Sequence, residues 1–436
     1  MIPAFRSFDI RGVYPNEIDE TLAYKAARAI TTFLRAKKII VGRDCRTSSL
    51  ALKKSAEYGI LDQGANVIDI GLCNTPMGYY CAQKYDTIMI TASHNPAKYN
   101  GIKITRKGVE QIGETNGLKQ IEKLTEKEHF KTPNKKGTLA QQDILLNYVK
   151  YTRKLVNGKY KPLKVLIDCG NGMAGHVVPT LLKGLPIKYD LLYGKLDGTY
   201  PNHTPNPAIA ENTLELQKQV KKGKYDLGIA YDGDCDRVFF IDEKGRRVWP
   251  EYSLLLFAKE LMKKGGSLSY TSNSSRIIED ISKENKWKAV QCKIGHTEVP
   301  ISMKKHRGTL GGELSGHFYF KKFKYADSGD IAALTMLSIL SKSGKKMSAL
   351  YAPFEKYVKT EEINTEVKDR NKTIRKIEKE FKKYRVKCVD GFAANMGNYW
   401  FNFRISKTEP VVRLVVEAKN KKNLAKGIKE IMRHIK

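Results

Sequence analysis

Histidine is scarce in this 436-residue chain, eight in all, and none stands in an H-E-x-x-H pair. The seven cysteines (Cys45, Cys73, Cys81, Cys169, Cys235, Cys292, Cys388) are odd in number, scattered and never spaced C-x-x-C. That excludes a zinc knot and a disulfide scaffold and predicts reduced thiols. No apolar run reaches the roughly 18 residues of a membrane span, and Met1–Arg6 lacks the apolar core of a signal peptide. The expectation is a soluble, cytoplasmic protein with no membrane partner. Acidic residues are in deficit, 46 against 78 Lys and Arg, a formal net charge of +32. Such a balance suits nucleic acid or small anionic substrates such as sugar phosphates. The basic runs (35–38, 131–136, 218–224, 368–387) have little aromatic interleaving and match no nucleic-acid motif, so they read as solvated surface rather than a dedicated nucleic-acid site.

What is present is enough apolar material, 41% of residues, to fill several cores, and the length suggests about three domains. Short apolar runs at 38–41, 66–70 and 87–90 alternate with helical patterns, the mark of a mainly parallel α/β layer. A helical face (Ile144, Leu145, Tyr148, Val149, Leu155) closes this segment, and Asn157–Pro162 reads as a linker before the strand-like 165–168. Further boundaries near 250 and 359 give four units: 1–156, 157–250, 251–358 and 359–436. The first three share an α/β texture. The last, with a very basic helix and a strand-rich end at 400–403 and 411–417, is a smaller α+β domain.

Four loops carry chemistry. Thr91-Ala92-Ser93-His94-Asn95-Pro96 sets a hydroxyl beside an imidazole in a tight turn after a strand, where backbone N–H groups can face an anion. Asp232-Gly233-Asp234-Cys235-Asp236-Arg237 follows a strand. In extended backbone its i, i+2, i+4 carboxylates would point to one side and share a hard cation, which their mutual repulsion requires. Magnesium is the expected ion. An EF-hand calcium loop, with Glu243 at position 12, is the rival, but it needs glycine where Arg237 stands and helices where the flanks read as strands. Gly311–His317 frames Glu313, Ser315 and His317, groups suited to sugar hydroxyls, and a second histidine loop lies at Lys293–Glu298, with His296. Arg404–Pro410 followed by Arg413 gathers hydroxyls and cations as a phosphate loop does, although a polar hairpin would look similar. Gly170, Gly172 and Gly175 match G-x-G-x-x-G with Asp190 downstream, which fits either a dinucleotide site or a plain strand-to-helix turn.

With these loops in order, the chain resembles the phosphohexomutase superfamily, closest to its phosphomannomutase/phosphoglucomutase branch. Phe8–Gly12, Val41–Arg46, Tyr99–Lys103 and Asp168–Gly172 add to the likeness, which spans almost the whole chain. The resemblance implies four domains around a central cleft, contributing in order the phosphoserine, metal, sugar and phosphate loops. It implies that Ser93 is phosphorylated and that Asp232, Asp234 and Asp236 bind Mg²⁺ with a phosphoserine oxygen. Arg237 would lie against that phosphate. Glu313 and Ser315 would read the sugar, and Arg404, Ser406, Lys407, Thr408 and Arg413 would hold the phosphate that does not react. Arg11, His94, Lys103, His296 and His317 would line the cleft, with Lys103 and His317 the candidates for acid and base.

The implied activity is an isomerase, an intramolecular phosphotransferase interconverting hexose 6-phosphate and 1-phosphate of mannose or glucose. It would run through phospho-Ser93 and a hexose 1,6-bisphosphate, in a monomer or homodimer. Phosphoglucosamine mutase and a metal-dependent phosphatase using Ser93 are the alternatives. Leu314 stands where the glucosamine type has glutamine. Two positions depart from the family pattern, Cys235 where a glycine or another small residue is frequent and Lys407 where glycine or asparagine is usual.

Overall fold

The computed structural model describes residues 2–130, 133–406 and 410–435. The chain divides into two compact units, one formed by 1–249 with 315–348 and the other by 250–314 with 349–436. Among the described residues no helix is long and apolar enough to cross a membrane.

In the first unit, strands Lys38–Arg43, Asn66–Leu72 and Asp86–Ile90 run parallel, Tyr99–Arg106 pairs antiparallel with Asp86–Ile90, and Ile10–Val13 pairs antiparallel with Tyr99–Arg106. Ile39, Val41, Ile88 and Ile90 are fully buried. Helices Glu20–Leu34 and Ser49–Asp62 belong to the same layer, the first started by Asp19, whose carboxylate accepts from the Leu22 N–H at 2.7 Å. The register pairs Arg43 with Ile90, so the loops that leave those two strands emerge side by side at their carboxyl ends. One loop is Asp44-Cys45-Arg46 and the other holds Ser93.

A second sheet of the unit places Leu163–Asp168 between Leu227–Tyr231 and Ile187–Leu192, all parallel. Leu227–Tyr231 then turns back into Val238–Ile241, antiparallel, with Tyr231 opposite Val238. All nine residues of these two strands are buried, as a central pair of apolar strands must be. Residues 315–348 add Phe318–Phe320 and the helix Gly329–Ser343, whose first turn is capped by the Ser328 hydroxyl.

In the second unit, Ser267–Thr271 lies between Lys288–Cys292 and Leu310–Gly312, all parallel, with helices Pro250–Leu261, Ile277–Glu284 and Glu298–Lys305. An antiparallel sheet follows, in which Tyr399–Ile405 pairs with Val411–Ala418 and Phe392–Asn395, while Ile363–Glu366 pairs with Val411–Ala418. Its core of Phe381, Phe392, Phe401, Phe403, Leu414 and Val416 is closed by Ile377 and Ile431 from helices Arg370–Glu380 and Lys421–Ile435. Three α/β layers and an α+β end are therefore the architecture.

Candidate active site

Ser93 lies in the turn three residues beyond the strand Asp86–Ile90, with its backbone in the left-handed region (φ 50°), a conformation that costs a residue with a Cβ about 1–2 kcal/mol. Its N–H donates to Thr91 Oγ1 at 2.9 Å, and its hydroxyl donates to Asp232 Oδ2 at 2.8 Å. The serine loop and the acidic turn meet backbone to backbone. A Cβ on Gly233 would fall 2.6 Å from the Ser93 carbonyl oxygen, so only glycine lets the two loops close.

The three aspartates sit in the tight turn between Leu227–Tyr231 and Val238–Ile241, not in extended backbone as the spacing argument assumed. Cys235 reverses the chain at φ 61°, which gives a physical reason for glycine at that position. Asp232, Asp234 and Asp236 still converge, with ligand oxygens within 4.8 Å of one another, and all three are buried. Glu243, the twelfth position of the calcium rival, instead accepts from Ser348 N and Oγ, at 3.1 and 2.5 Å. With strands on both flanks, the turn is not an EF-hand.

Electrostatics explains what this set needs. Burial, followed by the charges of Asp236 and Asp234, pushes the Asp232 carboxyl well above its usual range. Burial would raise Asp236 too, but Lys103 and then His317 outweigh it and hold Asp236 low. Lys103 Nζ spans Asp234 Oδ2 at 2.7 Å and Asp236 Oδ2 at 2.6 Å. The Lys103 ammonium and the Arg237 guanidinium, the latter 3.8 Å from Asp232 Oδ2, face three carboxylates, and Asp234 Oδ1 is buried with no hydrogen-bond donor. Three converging hard oxygens, one of them without a partner, fit a small divalent cation beside Ser93 Oγ.

Other residues gather around this centre. Arg237 donates from Nε to His317 Nε2 at 3.2 Å, and the other ring nitrogen of His317 lies 2.9 Å from Ser315 Oγ. His94 Nδ1 is 3.2 Å from Ser93 Oγ, while burial and the nearby Arg237 and Arg11 push its imidazole well below the usual histidine range. A neutral ring that the serine hydroxyl already bypasses for Asp232 is a neighbour to an anion more than a base. Arg11, from the strand Ile10–Val13, donates to Asn95 Oδ1 at 2.7 Å and pairs with Asp9. The first unit thus brings together Ser93, His94, Lys103, Arg11, the three aspartates, Arg237, Ser315 and His317.

Two residues of this centre carry no motif signal. Thr75 Oγ1 donates to Asp234 Oδ2 at 2.6 Å. Asp327, fully buried, lies 3.6 Å from His317 Nε2, and burial together with Asp236 pushes its carboxyl up to about 7. The G-x-G-x-x-G glycines serve packing, for a Cβ on Gly172 would fall 2.8 Å from the Gly233 Cα and carbonyl oxygen.

The second unit holds the remaining expected residues. Arg404 and Arg413 stand directly opposite each other on paired strands. Glu362 separates the two cations, accepting from Arg404 Nη2 at 2.7 Å and Arg413 Nη1 at 3.2 Å. Burial would raise Glu362, but the two guanidiniums outweigh it and keep the carboxyl below its usual range. Ser406 is buried beside them, and its N–H donates to the Val411 carbonyl at 3.0 Å. Glu313 is buried where Leu310–Gly312 ends, and His296 is half-buried in the turn before Glu298–Lys305. Lys407 and Thr408 lie outside the described residues. Leu314 packs against Ala393, Trp400 and Val415, an apolar contact rather than a polar sugar reader.

Sequence and structure comparisons identify the family of the chain. Four models of the phosphoglucomutase/phosphomannomutase family match in succession: alpha/beta/alpha domain I over residues 3–132, domain II over 146–245, domain III over 249–357 and the C-terminal domain over 362–434. A protein of Xanthomonas campestris pv. campestris named "Phosphohexose mutases" is 34% identical over 96% of this chain and 95% of its own length. The phosphomannomutase/phosphoglucomutase of Pseudomonas aeruginosa is 34% identical over 99% of this chain and 94% of its own. A crystal structure of a phosphoglucomutase/phosphomannomutase family protein from Burkholderia thailandensis superposes with a TM-score of 0.90, at 29% identity, over 100% of this chain and 97% of that one. With all four models matched in order and relatives aligned over nearly their full length, this chain belongs to the phosphoglucomutase/phosphomannomutase family.

Proposed function

We propose that the protein is a magnesium-dependent hexose-phosphate mutase that interconverts the 6-phosphate and 1-phosphate of mannose, glucose or both, with Ser93 as the phosphoryl carrier. The observation that carries this reading is the Ser93 hydroxyl held at 2.8 Å on Asp232, the first of the three converging carboxyls of the acidic turn. Asp232, Asp234 and Asp236 would hold Mg²⁺. When bound, the ion supplies positive charge against the phosphoryl oxygens, the main requirement of this chemistry.

The remaining work belongs to side chains. Phosphorylated Ser93 carries roughly −1.5 to −2 charge, which Arg237 and Arg11 are placed to meet, with the neutral His94 ring beside them as a hydrogen-bond donor. In the first transfer the Ser93 Oγ–P bond breaks and a bond forms between that phosphorus and the free sugar hydroxyl. The proton of that hydroxyl goes to His317 Nε2, freed when Arg237 turns from it to the phosphate, and the leaving Ser93 Oγ takes up a proton from solvent to end as the hydroxyl. A 1,6-bisphosphate results. After it turns over, Ser93 Oγ bonds to the other phosphorus and gives up its proton to solvent, the sugar O–P bond breaks, and His317 returns its proton to that sugar oxygen. Lys103 is an ammonium held on two carboxylates, so its part is counter-charge. Arg404 and Arg413, held apart by Glu362, grip the phosphate that is not being transferred. Charge neutralisation at both phosphates is needed because the sugar presents each end in turn.

Ser93→Ala removes the carrier without removing the fold. Turnover of mannose 1-phosphate and glucose 1-phosphate should fall by at least about 10³-fold while melting temperature and sugar-phosphate binding persist, because transfer then lacks its covalent step. A fully active alanine variant would refute the carrier. Release of free phosphate without isomerised sugar, from the parent protein, would identify a phosphatase instead. Glucosamine 1-phosphate belongs in the same assay, because Leu314 faces an apolar cluster.

A further inference from the structure

We infer that Arg46 is the positioning residue that holds the Ser93 loop in its reactive shape; the inference rests on the reading of Ser93 as the phosphoryl carrier. Arg46 lies in the Val41–Arg46 stretch, yet it touches neither the acidic turn's carboxylates nor any hydroxyl of the site. Its side chain is fully buried and spends all five N–H groups on fixed acceptors. Nη2 donates to the carbonyls of Ser93 at 2.9 Å and Asn95 at 2.6 Å. Nη1 donates to those of Pro96 at 2.8 Å and Tyr99 at 3.0 Å. Nε donates to Asp44 Oδ2 at 3.2 Å. Four of the five bonds therefore fall within seven residues of chain, 93–99, and wrap the turn around a single planar cation.

The cation is itself anchored. Asp44 is fully buried, and its other oxygen accepts from the Arg46 N–H at 3.0 Å and the Ser49 hydroxyl at 2.5 Å. Ser48 and Ser49 receive the Asn100 amide at 2.8 and 3.0 Å, which ties the far end of the loop to the same anchor. The Tyr200 ring lies 4.9 Å from the guanidinium carbon, within cation–π reach.

The consequence follows from backbone geometry. Ser93 sits at φ 50°, a strained state that persists only where surrounding contacts over-determine it. A bond to its own carbonyl fixes the peptide plane that follows it, and the bonds to Asn95 and Pro96 fix the next planes. Together they set the direction in which Ser93 Oγ points at Asp232. Lysine cannot replace this, because an ammonium has three donors and no plane. A displacement of the reacting oxygen by even 1 Å costs about 10² in rate without a matching loss of substrate affinity.

The test compares Arg46→Lys and Arg46→Ala with Lys53→Met. Lys53 is another buried cation of the same unit, paired with Glu57 and Asp69 away from the serine loop. For Arg46→Lys the expected result is a kcat lowered by about 10²-fold with KM within threefold, and slow phosphorylation of Ser93 by glucose 1,6-bisphosphate read by intact mass. Lys53→Met should lower the melting temperature yet leave kcat within twofold below it. Guanidinium at millimolar concentration should restore part of the Arg46→Ala rate. If Arg46 variants do not fold, Asp44→Asn, which keeps an acceptor and loses the charge, should still lower kcat about tenfold at unchanged KM. A folded Arg46→Lys within threefold of the parent overturns the inference. So does an Asp44→Asn of parental rate, or losses in the Arg46 and Lys53 variants that track melting temperature alike. Ser93→Ala separates the two levels: if it is inactive while Arg46→Lys is normal, only the clamp is wrong; if it is fully active, the carrier reading has failed first.

Discussion

Buried acids whose partners are neutral are the residues most exposed to pH. Asp330, in the first turn of Gly329–Ser343, is fully buried and accepts from Tyr148 Oη at 2.6 Å and Asn74 Nδ2 at 2.8 Å. No cation offsets its charge, so burial pushes its carboxyl from 3.8 up to about 6, with the donors of Tyr148, Asn74 and Tyr231 pulling back only in part. The folded state thus holds the proton more tightly than the unfolded state. The stability this contributes is complete below about pH 4 and is lost as pH rises through about 6, a difference near 3 kcal/mol for a shift of about two units. Asp330→Asn keeps the shape and removes the titration. Relative to the parent it should gain at least about 1 kcal/mol between pH 5 and pH 7.5, read from urea midpoints at both values. A difference that is flat with pH would show that Asp330 stays ionised in the fold. Asn74 also caps the helix Thr75–Ala82, whose first residue donates to Asp234, so adjacent residues tie Asp330 and the acidic centre to one helix start.

Among elements, the strand-ending loops were legible and their supports were not. Apolar runs at 87–90 and 238–241 identify strands, and a serine or an aspartate just beyond a strand lies where an α/β layer exposes chemistry. The spacing of the three aspartates foretold their convergence but not its cause, because φ at Cys235 cannot be read from a side-chain pattern. Thr75, Asp327 and Glu362 escaped notice for a different reason. Each meets its partner only after the chain has folded, as Thr75 and Asp234 do across 159 positions, so no local period marks them. Lys103 was legible as a site residue, yet only the structure shows it committed to two carboxylates. These elements also carry a cation-dependent prediction. The serine loop and the acidic hairpin share their charge problem, so magnesium should slow amide exchange in 91–106 and 227–241 by about 10- to 100-fold at saturating ion, as binding to the folded state requires. Exchange in the strands Tyr399–Ile405 and Val411–Ala418, remote from any of the three aspartates in sequence and tied instead to Glu362 through Arg404 and Arg413, should not change. Asp234→Asn should abolish the protection at the first two segments. Equal slowing at all of these segments would mean the ion acts on the chain generally and not at the acidic turn.

At the scale of the whole molecule the excess of +32 charges has to act on something. Residues 359–436 alone carry 21 Lys and Arg against 10 Asp and Glu, and Lys372, Arg375, Lys376, Lys379, Lys421, Lys422, Lys426 and Lys429 are all exposed on two helices. Exposed cations of this kind add almost nothing to stability, since solvent screens them. What they change is the field, which raises the local concentration of dianionic sugar phosphates and steers them inward. The field reaches about 10 Å at 0.1 M salt and about 30 Å at 0.01 M, so its benefit to capture must shrink as salt is added. The chemical step, made by buried groups, is screened far less. Raising sodium chloride from 20 to 250 mM should therefore increase KM for mannose 1-phosphate by about three- to tenfold and leave kcat within twofold. A kcat that falls in step with KM would locate the salt effect at the buried centre instead. Retention on duplex DNA that survives 250 mM salt would mean the surface was built for a polymer, because binding by solvated lysines alone weakens steeply over that range.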